Sequence, residues 1–341
     1  MDAPAYLEGK LRHCTAYELT KTDRAVLERD GTEAFIYKVL TSKKFRKWSI
    51  DETTQNNIKK AIQLNLAKNE PIKLTFPFGA YKLWRLPSTP EVDWAEFFTF
   101  SYYCQYVAPV LQAYQPGVLF SFSSDDVIVE RMNNVPHTEP EAYIESFKQL
   151  LENFRKYFPP NMKMELVRVA DMYPDKSEYE RELAEQIQEY TKTYAAVAPK
   201  KREAKNKSSE LNIRWDGVRD LTGLSDQEKR EIIDFGPILH DAHCAVSRRR
   251  AFVRGANKIV IFSNPINNAI PIGTTKSSRT KFWTGFGVLE QRDEKFYDRI
   301  LSPGQLEQAS NEDHDLVPID LIPLKNFANV WVFRRPFDYS S

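Results

Sequence analysis

Cysteine is scarce in this chain. There are three in 341 residues, Cys14, Cys104 and Cys244, and no two form a CxxC pair. That spacing argues against a disulfide framework or a four-thiolate zinc site and fits a reducing compartment. Long apolar runs are missing too. No stretch reaches the ~18 apolar residues that a membrane span needs. The opening MDAPAYLEGKLRH lacks the apolar segment of a secretory signal. A soluble, cytoplasmic protein is the expectation. No charge sign is in excess, since Lys+Arg is 48 and Asp+Glu 47, so no global field draws the chain to nucleic acid or to an anionic membrane. Four motifs are also absent: GxGxxG after a strand, GxxxxGK[ST], GxSxG and HExxH. Their absence leaves a dinucleotide fingerprint, a P-loop, a hydrolase elbow and a zinc-protease helix unsupported.

What is present is an ordinary globular composition, 42% apolar and 13% aromatic. The length allows one large domain or two lobes. Residues 1–70 read as a polar helical segment, with Ile58, Ala61, Ile62, Leu64 and Leu66 roughly on one helix face. From residue 71 strands and helices alternate. PIKLTFPFG reads as a buried strand. The run from Pro90 to Gly117 reads as a long helix with Asp93 in its first turn, and VLFSFSS follows as a strand. A helix (PEAYIESFKQLLENFRKYF), a strand (KMELVRVA) and another helix (SEYERELAEQIQEYTKTYAAV) continue the pattern to about residue 196. Such alternation predicts βαβ units and an α/β sheet over 71–341.

Residues 198–210 are basic and polar without apolar periodicity, which predicts a solvated helix end plus a flexible linker, with a mobile loop as the alternative. Ser225 and Glu228 have capping-box spacing at the start of a further helix, which Gly236-Pro237 should break or kink. NKIVIFSNP, AIPIG and TKFWTGFGVLEQR read as later strands, and NVWVFRRPF as a last one at a sheet edge. The region beyond 211 either completes the same sheet or forms a second lobe.

Four groups of residues carry candidate chemistry. Asp125 and Asp126, with Glu130, follow an apolar strand. They suit a divalent cation, as in a metal-dependent sugar-nucleotide transferase, or an ammonium group, or simply a turn. Arg131, Asn133 and Asn134 favour a ligand-facing loop there. His240 and His243 stand i,i+3 on a helix and could share a metal, but no third ligand has a standard spacing, so packing histidines are preferred. His243 is also a candidate general base. Arg248, Arg249, Arg250 and Arg254 read as a solvated face. Lys276 and Arg279, in the hydroxyl-rich GTTKSSRTKF, have the donors a phosphate needs, or lie in a polar hairpin loop. Lys82 and Arg85, beside Tyr81 and Trp84, suit a substrate-lined turn or a core edge.

Taken in order, these pieces resemble the pyoverdine/dityrosine biosynthesis family, whose well-known members are isonitrile synthases. The resemblance covers about 70–155 and 255–292. It runs through Phe76-Pro77, then Pro90, Asp93 and Glu96, then Tyr114-x-Pro116-Gly117, Ser124-Asp125-Asp126, Ser263-Asn264-Pro265 and the Trp283 strand FWTGFGVLE. Three family features are replaced. Gly79-Ala80-Tyr81-Lys82 stands for Lys-Ser-x-Asn, Asn264 stands near the histidine of Ser-Ile-His-Pro, and Trp283-Thr284 stands for Trp-His. The resemblance implies a Rossmann-like, mostly parallel sheet flanked by helices. It implies conversion of an amino acid's α-amine to an isonitrile in secondary metabolism, with a pentulose phosphate supplying the carbon. It implies no cofactor and no metal. Asp125 or Asp126 would hold the ammonium or a sugar hydroxyl, Lys276 and Arg279 the phosphate, and Lys82 or Arg85 the carboxylate. The replaced motifs leave a non-catalytic ligand-binding member of the same fold as a further alternative.

Overall fold

The computed structural model describes residues 2–46, 48–78, 91–124, 128–136, 138–173, 175–249, 255–263, 268–273, 282, 285–311 and 313–334, with the side chains of 170, 248 and 249 left out. At its centre is a five-stranded parallel sheet: β1 (Ile72–Phe78), β2 (Val118–Ser124), β3 (Met162–Arg168), β4 (Lys258–Phe262) and β5 (Ala269–Pro271), in the order β3-β2-β1-β4-β5. This is the α/β architecture that the strand–helix alternation predicts. Every second residue of β1, from Ile72 to Phe78, is buried against helices on one face. In register with them, Val118, Phe120 and Phe122 of β2 do the same.

The helix that covers this face is α4 (Trp94–Ala113). Asp93 caps it, taking the N–H of Ala95 at 2.7 Å, while Glu96 reaches back to the N–H of Asp93 at 2.8 Å. This reciprocal cap is worth on the order of 1 kcal/mol. The helix is apolar nearly all round because it is wrapped: Phe97, Phe98, Phe100 and Tyr103 are fully buried. Each such ring contributes roughly 1.5–3 kcal/mol by leaving water.

The N-terminal segment is helical, as expected: α1 (Ala3–Arg12), α2 (Lys21–Leu40) and α3 (Glu52–Ala67). Asp2, Thr20 and Asp51 cap them, and α2 kinks at Gly31, whose φ is +79°. The segment shares its core with the sheet. Leu7, Ile36, Ile58 and Ile62 belong to the same apolar cluster as Phe76 and Phe122. Polar ties reinforce this: Tyr106 donates to the carbonyl of Leu40 at 2.6 Å, and Asn65 to that of Asn257 at 2.7 Å.

The strands beyond 255 divide between two sheets. β4 and β5 complete the parallel sheet, while β6 (Phe286–Arg292), β7 (Lys295–Leu301), β8 (His314–Pro318) and β9 (Asn329–Phe333) form a second, four-stranded sheet in the order β7-β6-β9-β8. The late strand expected at an edge is therefore interior, parallel to β6 on one side and antiparallel to β8 on the other. The backbone packs closely at Gly285 and Gly287. A Cβ on Gly287 would fall on the backbone of Trp94 and Ala95, and Trp94 donates its indole N–H to the carbonyl of Asn329 at 2.7 Å. The start of α4 thereby sits on the second sheet.

The other helices are α5 (Val129–Asn133), α6 (Thr138–Arg155), α7 (Lys176–Ala195), α8 (Pro199–Glu210), α9 (Asp226–Arg249) and α10 (Pro303–Ala309). Two differ from the sequence reading. Residues 199–210, expected as a helix end plus linker, form a helix of their own, α8, with no buried residue. Its Lys, Arg, Glu and Ala have high intrinsic helix propensity and Pro199 suits its first turn, so no apolar stripe was needed to specify it. The helix expected to break or kink at Gly236-Pro237 does not break there but runs on as α9. A proline there costs about 3 kcal/mol, offset by packing: Gly236 lies against Ser209, and Pro237, Ile238 and Leu239 are buried. Among the described residues no helix is long and apolar enough to cross a membrane.

Candidate functional site

The strand order locates the crevice. The chain goes from β1 outward to β2 and β3, then returns to place β4 on the other side of β1. The order reverses between β1 and β4, and open parallel sheets bind ligands outside the carboxyl ends of their strands at such a point. At this edge stand Phe78, Ser123, Ser124, Arg168 and Ser263. Ser124 is in register with both Phe78 and Arg168.

Below the edge is an aromatic floor. Phe78 stacks on Phe147 at 5.4 Å and meets Phe282 at 5.2 Å, and Phe122 lies 5.2 Å from Phe147. The floor is dry. Burial first, and the neighbouring Glu96 second, push the Tyr143 phenol well above its ordinary value, so it remains a neutral donor, 3.1 Å from Glu96. Two hydroxyls at the edge are left over. Ser123 and Ser263 are buried, and their Oγ atoms have no hydrogen-bond partner among the described residues. An unpaired buried hydroxyl costs roughly 1–3 kcal/mol, which makes each one a ready contact for a polar ligand group. Neither was singled out from the sequence as a site residue. The available signal was a small polar residue closing an otherwise apolar strand.

Of the sequence candidates, Asp125, Asp126, Lys82, Arg85, Lys276, Arg279 and Trp283 lie outside the described residues. Their chain positions are still informative. Lys82 and Arg85 follow β1, Asp125 and Asp126 follow β2, and Lys276, Arg279 and Trp283 follow β5. Arg131 is described. It forms a bidentate ion pair from α5 to Glu180 of α7, at 2.9 and 3.0 Å, and both partners are solvent-exposed. Glu130, beside it, is exposed.

Asn133 and Asn134 face the chain itself. Asn133 donates to the carbonyl of Asn212 at 2.8 Å. Asn134, with φ +57°, donates to the carbonyls of Arg214 and Arg219 at 2.7 Å and accepts from the N–H of Arg219 at 3.0 Å. They fasten residues 212–219 rather than line a ligand loop.

His243 is 1% exposed between α7 and α9. Its Nδ1 is 2.8 Å from the Tyr179 hydroxyl and its Nε2 is 3.3 Å from Ser247 Oγ. It belongs to a separate apolar cluster with Tyr173, Leu183, Leu239 and Val246. Ile128 and Val169, which lie just beyond β2 and β3, join that cluster and set it at the carboxyl edge. His240 is on an exposed part of α9, so the two histidines do not share a ligand. Among the described residues no group of three His, Cys, Asp or Glu could hold a metal ion.

No family model matches the chain, and no curated protein matches its sequence. The fold is similar to that of the PvcA protein from Pseudomonas aeruginosa. The superposition covers 89% of this chain and 100% of that one, with a TM-score of 0.59 at 12% sequence identity. The likeness is one of fold.

Proposed function

We propose that this protein is an isonitrile-synthase-like enzyme of secondary metabolism. It acts on the α-amine of an amino acid, with a sugar phosphate as co-substrate. One observation carries the reading. The charged residues that the family resemblance assigns to substrate follow β1, β2 and β5 in the chain, and those strands end at the edge where a parallel sheet binds its ligand. Asp125 or Asp126 holds the ammonium, Lys82 or Arg85 the carboxylate, and Lys276 with Arg279 the phosphate. Arginine supplies the bidentate geometry and lysine the point charge. The aromatic floor excludes water and strengthens each of these polar contacts.

The test is direct. Purified protein is incubated with ribulose 5-phosphate and each of the twenty amino acids in turn, and products are read by mass spectrometry. An isonitrile from one amino acid supports the reading. No product and no binding of any amino acid, by a protein that is folded, overturns it. Binding without turnover identifies the non-catalytic member of the fold, which the replaced Lys-Ser-x-Asn and histidine motifs favour as the second reading.

A further inference from the structure

The face of α9 opposite its buried side carries a cluster that the proposed chemistry does not use. His240 Nδ1 lies 3.2 Å from Asp241 Oδ1, and its Nε2 lies 3.7 Å from Cys244 Sγ. Asp241 Oδ2 is 2.7 Å from Lys205 Nζ on α8. The i,i+4 spacing puts imidazole and thiol on one helix face, while Leu239, Ala242, His243 and Val246 point the other way into the apolar cluster.

The ring therefore stands between a carboxylate and a sulfur. Its hydrogen bond to Asp241, then the one to Cys244, raise the His240 pKa to about 10. With Nδ1–H turned to Asp241, Nε2 can take the thiol proton and hold it beside the thiolate that attacks. Access completes the case. Cys244 is partly exposed, whereas Cys14 and Cys104 are buried in the main core.

We propose that Cys244 is a reactive thiol and a site of modification by low-molecular-weight disulfides. The Cys244 thiolate attacks one sulfur of the disulfide. A new bond forms between Cys244 Sγ and that sulfur, the original S–S bond breaks, and the departing thiolate takes a proton from water. Cys244 is oxidised to the mixed disulfide as the reagent is reduced to one thiol. The chain's other two cysteines are buried in a different cluster. Neither can displace the adduct, which persists until an external thiol removes it.

The test treats the full chain at neutral pH with oxidised glutathione, quenches at intervals and maps adducts by peptide mass. The expected result is an adduct on Cys244, with Cys14 and Cys104 unmodified in the folded protein and no adduct in Cys244→Ser. His240→Gln, with its circular dichroism spectrum unchanged, should slow adduct formation roughly tenfold. The proposal is overturned if Cys244 reacts no faster than the cysteine of an unstructured peptide carrying residues 240–248. An unchanged rate in His240→Gln overturns it equally.

Discussion

The hydroxyl of Tyr179 and the Nδ1 of His243 stand 2.8 Å apart inside the cluster that joins α7 to α9. With Ser247 on the other nitrogen, the ring is held on both sides and shielded from solvent. Tyr179→Phe deletes the hydroxyl and strands a buried ring nitrogen, which should lower stability by about 1–3 kcal/mol. A shift of the urea midpoint without a change in slope is the expected readout. His243→Phe should cost at least as much. If instead His243 variants keep their stability and lose product formation, the histidine is a catalytic base and not a packing residue.

Ser123 and Ser263 give the opposite pattern. Replacing an unpartnered buried hydroxyl by hydrogen removes a cost and leaves almost no cavity, so Ser123→Ala and Ser263→Ala should be neutral or more stable by up to ~1 kcal/mol. Under the proposed function each should also weaken substrate binding, by about tenfold for one lost hydrogen bond. Calorimetry with the preferred amino acid and the sugar phosphate, titrated separately, would show which ligand each serine meets. Wild-type affinity for both ligands in both variants would remove the serines from the site.

The adjacent aspartates divide the same two effects between them. Asp125→Ala is expected to lower the melting temperature, because the first residue after a strand is placed to form the turn. Asp126→Ala is expected to leave the melting temperature within about a degree and to abolish measurable binding of the amine. Equal loss of stability in both variants would return the pair to a purely structural turn.

Gly117 is a backbone requirement with no functional content. Its φ is +70°, and a Cβ there would fall on the carbonyl of Asn161, which also receives the N–H of Val118 at 2.9 Å. Gly117→Ala should therefore destabilise by more than the ~1 kcal/mol of the conformational term alone, since strand β2 cannot pair as it does with the chain before β3. Thermal unfolding of the variant measures this.

The pH dependence at His240 and Asp241 has a defined window. His240 is raised from 6.5 to about 10, so its contribution is complete below about 6.5 and is lost as pH rises through 10. Asp241 is lowered from 3.8 to about 2, through its bonds to His240 and Lys205 against the opposing effect of burial. Its contribution is complete above about 3.8 and is lost as pH falls through 2. The stability difference between wild type and His240→Gln should thus be largest between about pH 4 and 6.5 and fade toward pH 10. The effect will be small, because the His240 side chain is about half exposed to water and that of Asp241 about a third.

Local pattern carried a large part of this molecule. The capping box at Ser225 and Glu228 forms as read, with Ser225 Oγ 2.6 Å from the Glu228 carboxylate. β1, β2, β3 and β4 fall where short apolar runs bounded by turn signals put them, because a buried strand needs a run of only a few apolar residues. The helix from Asp93 was equally plain, since its cap and its stop are both written in the sequence. That β2 ends at the carboxyl edge of a parallel sheet, the edge at which such sheets bind ligands, followed from the same alternation.

Tertiary structure decided what depends on neighbours distant in the chain. The order β3-β2-β1-β4-β5 fixes the switch point, and no local spacing encodes which strand lies beside β1. The mixed second sheet, and the interior place of β9 within it, rest on the parallel pairing of Leu289 with Val332 and Glu290 with Phe333, far apart in the chain. That Asn134 holds Arg219 while Arg131 holds Glu180 is likewise a long-range outcome of polar groups satisfying one another. Ser123 and Ser263 acquire meaning only once both are seen buried and unpaired at one sheet edge, because a serine's sequence records neither its burial nor its missing partner.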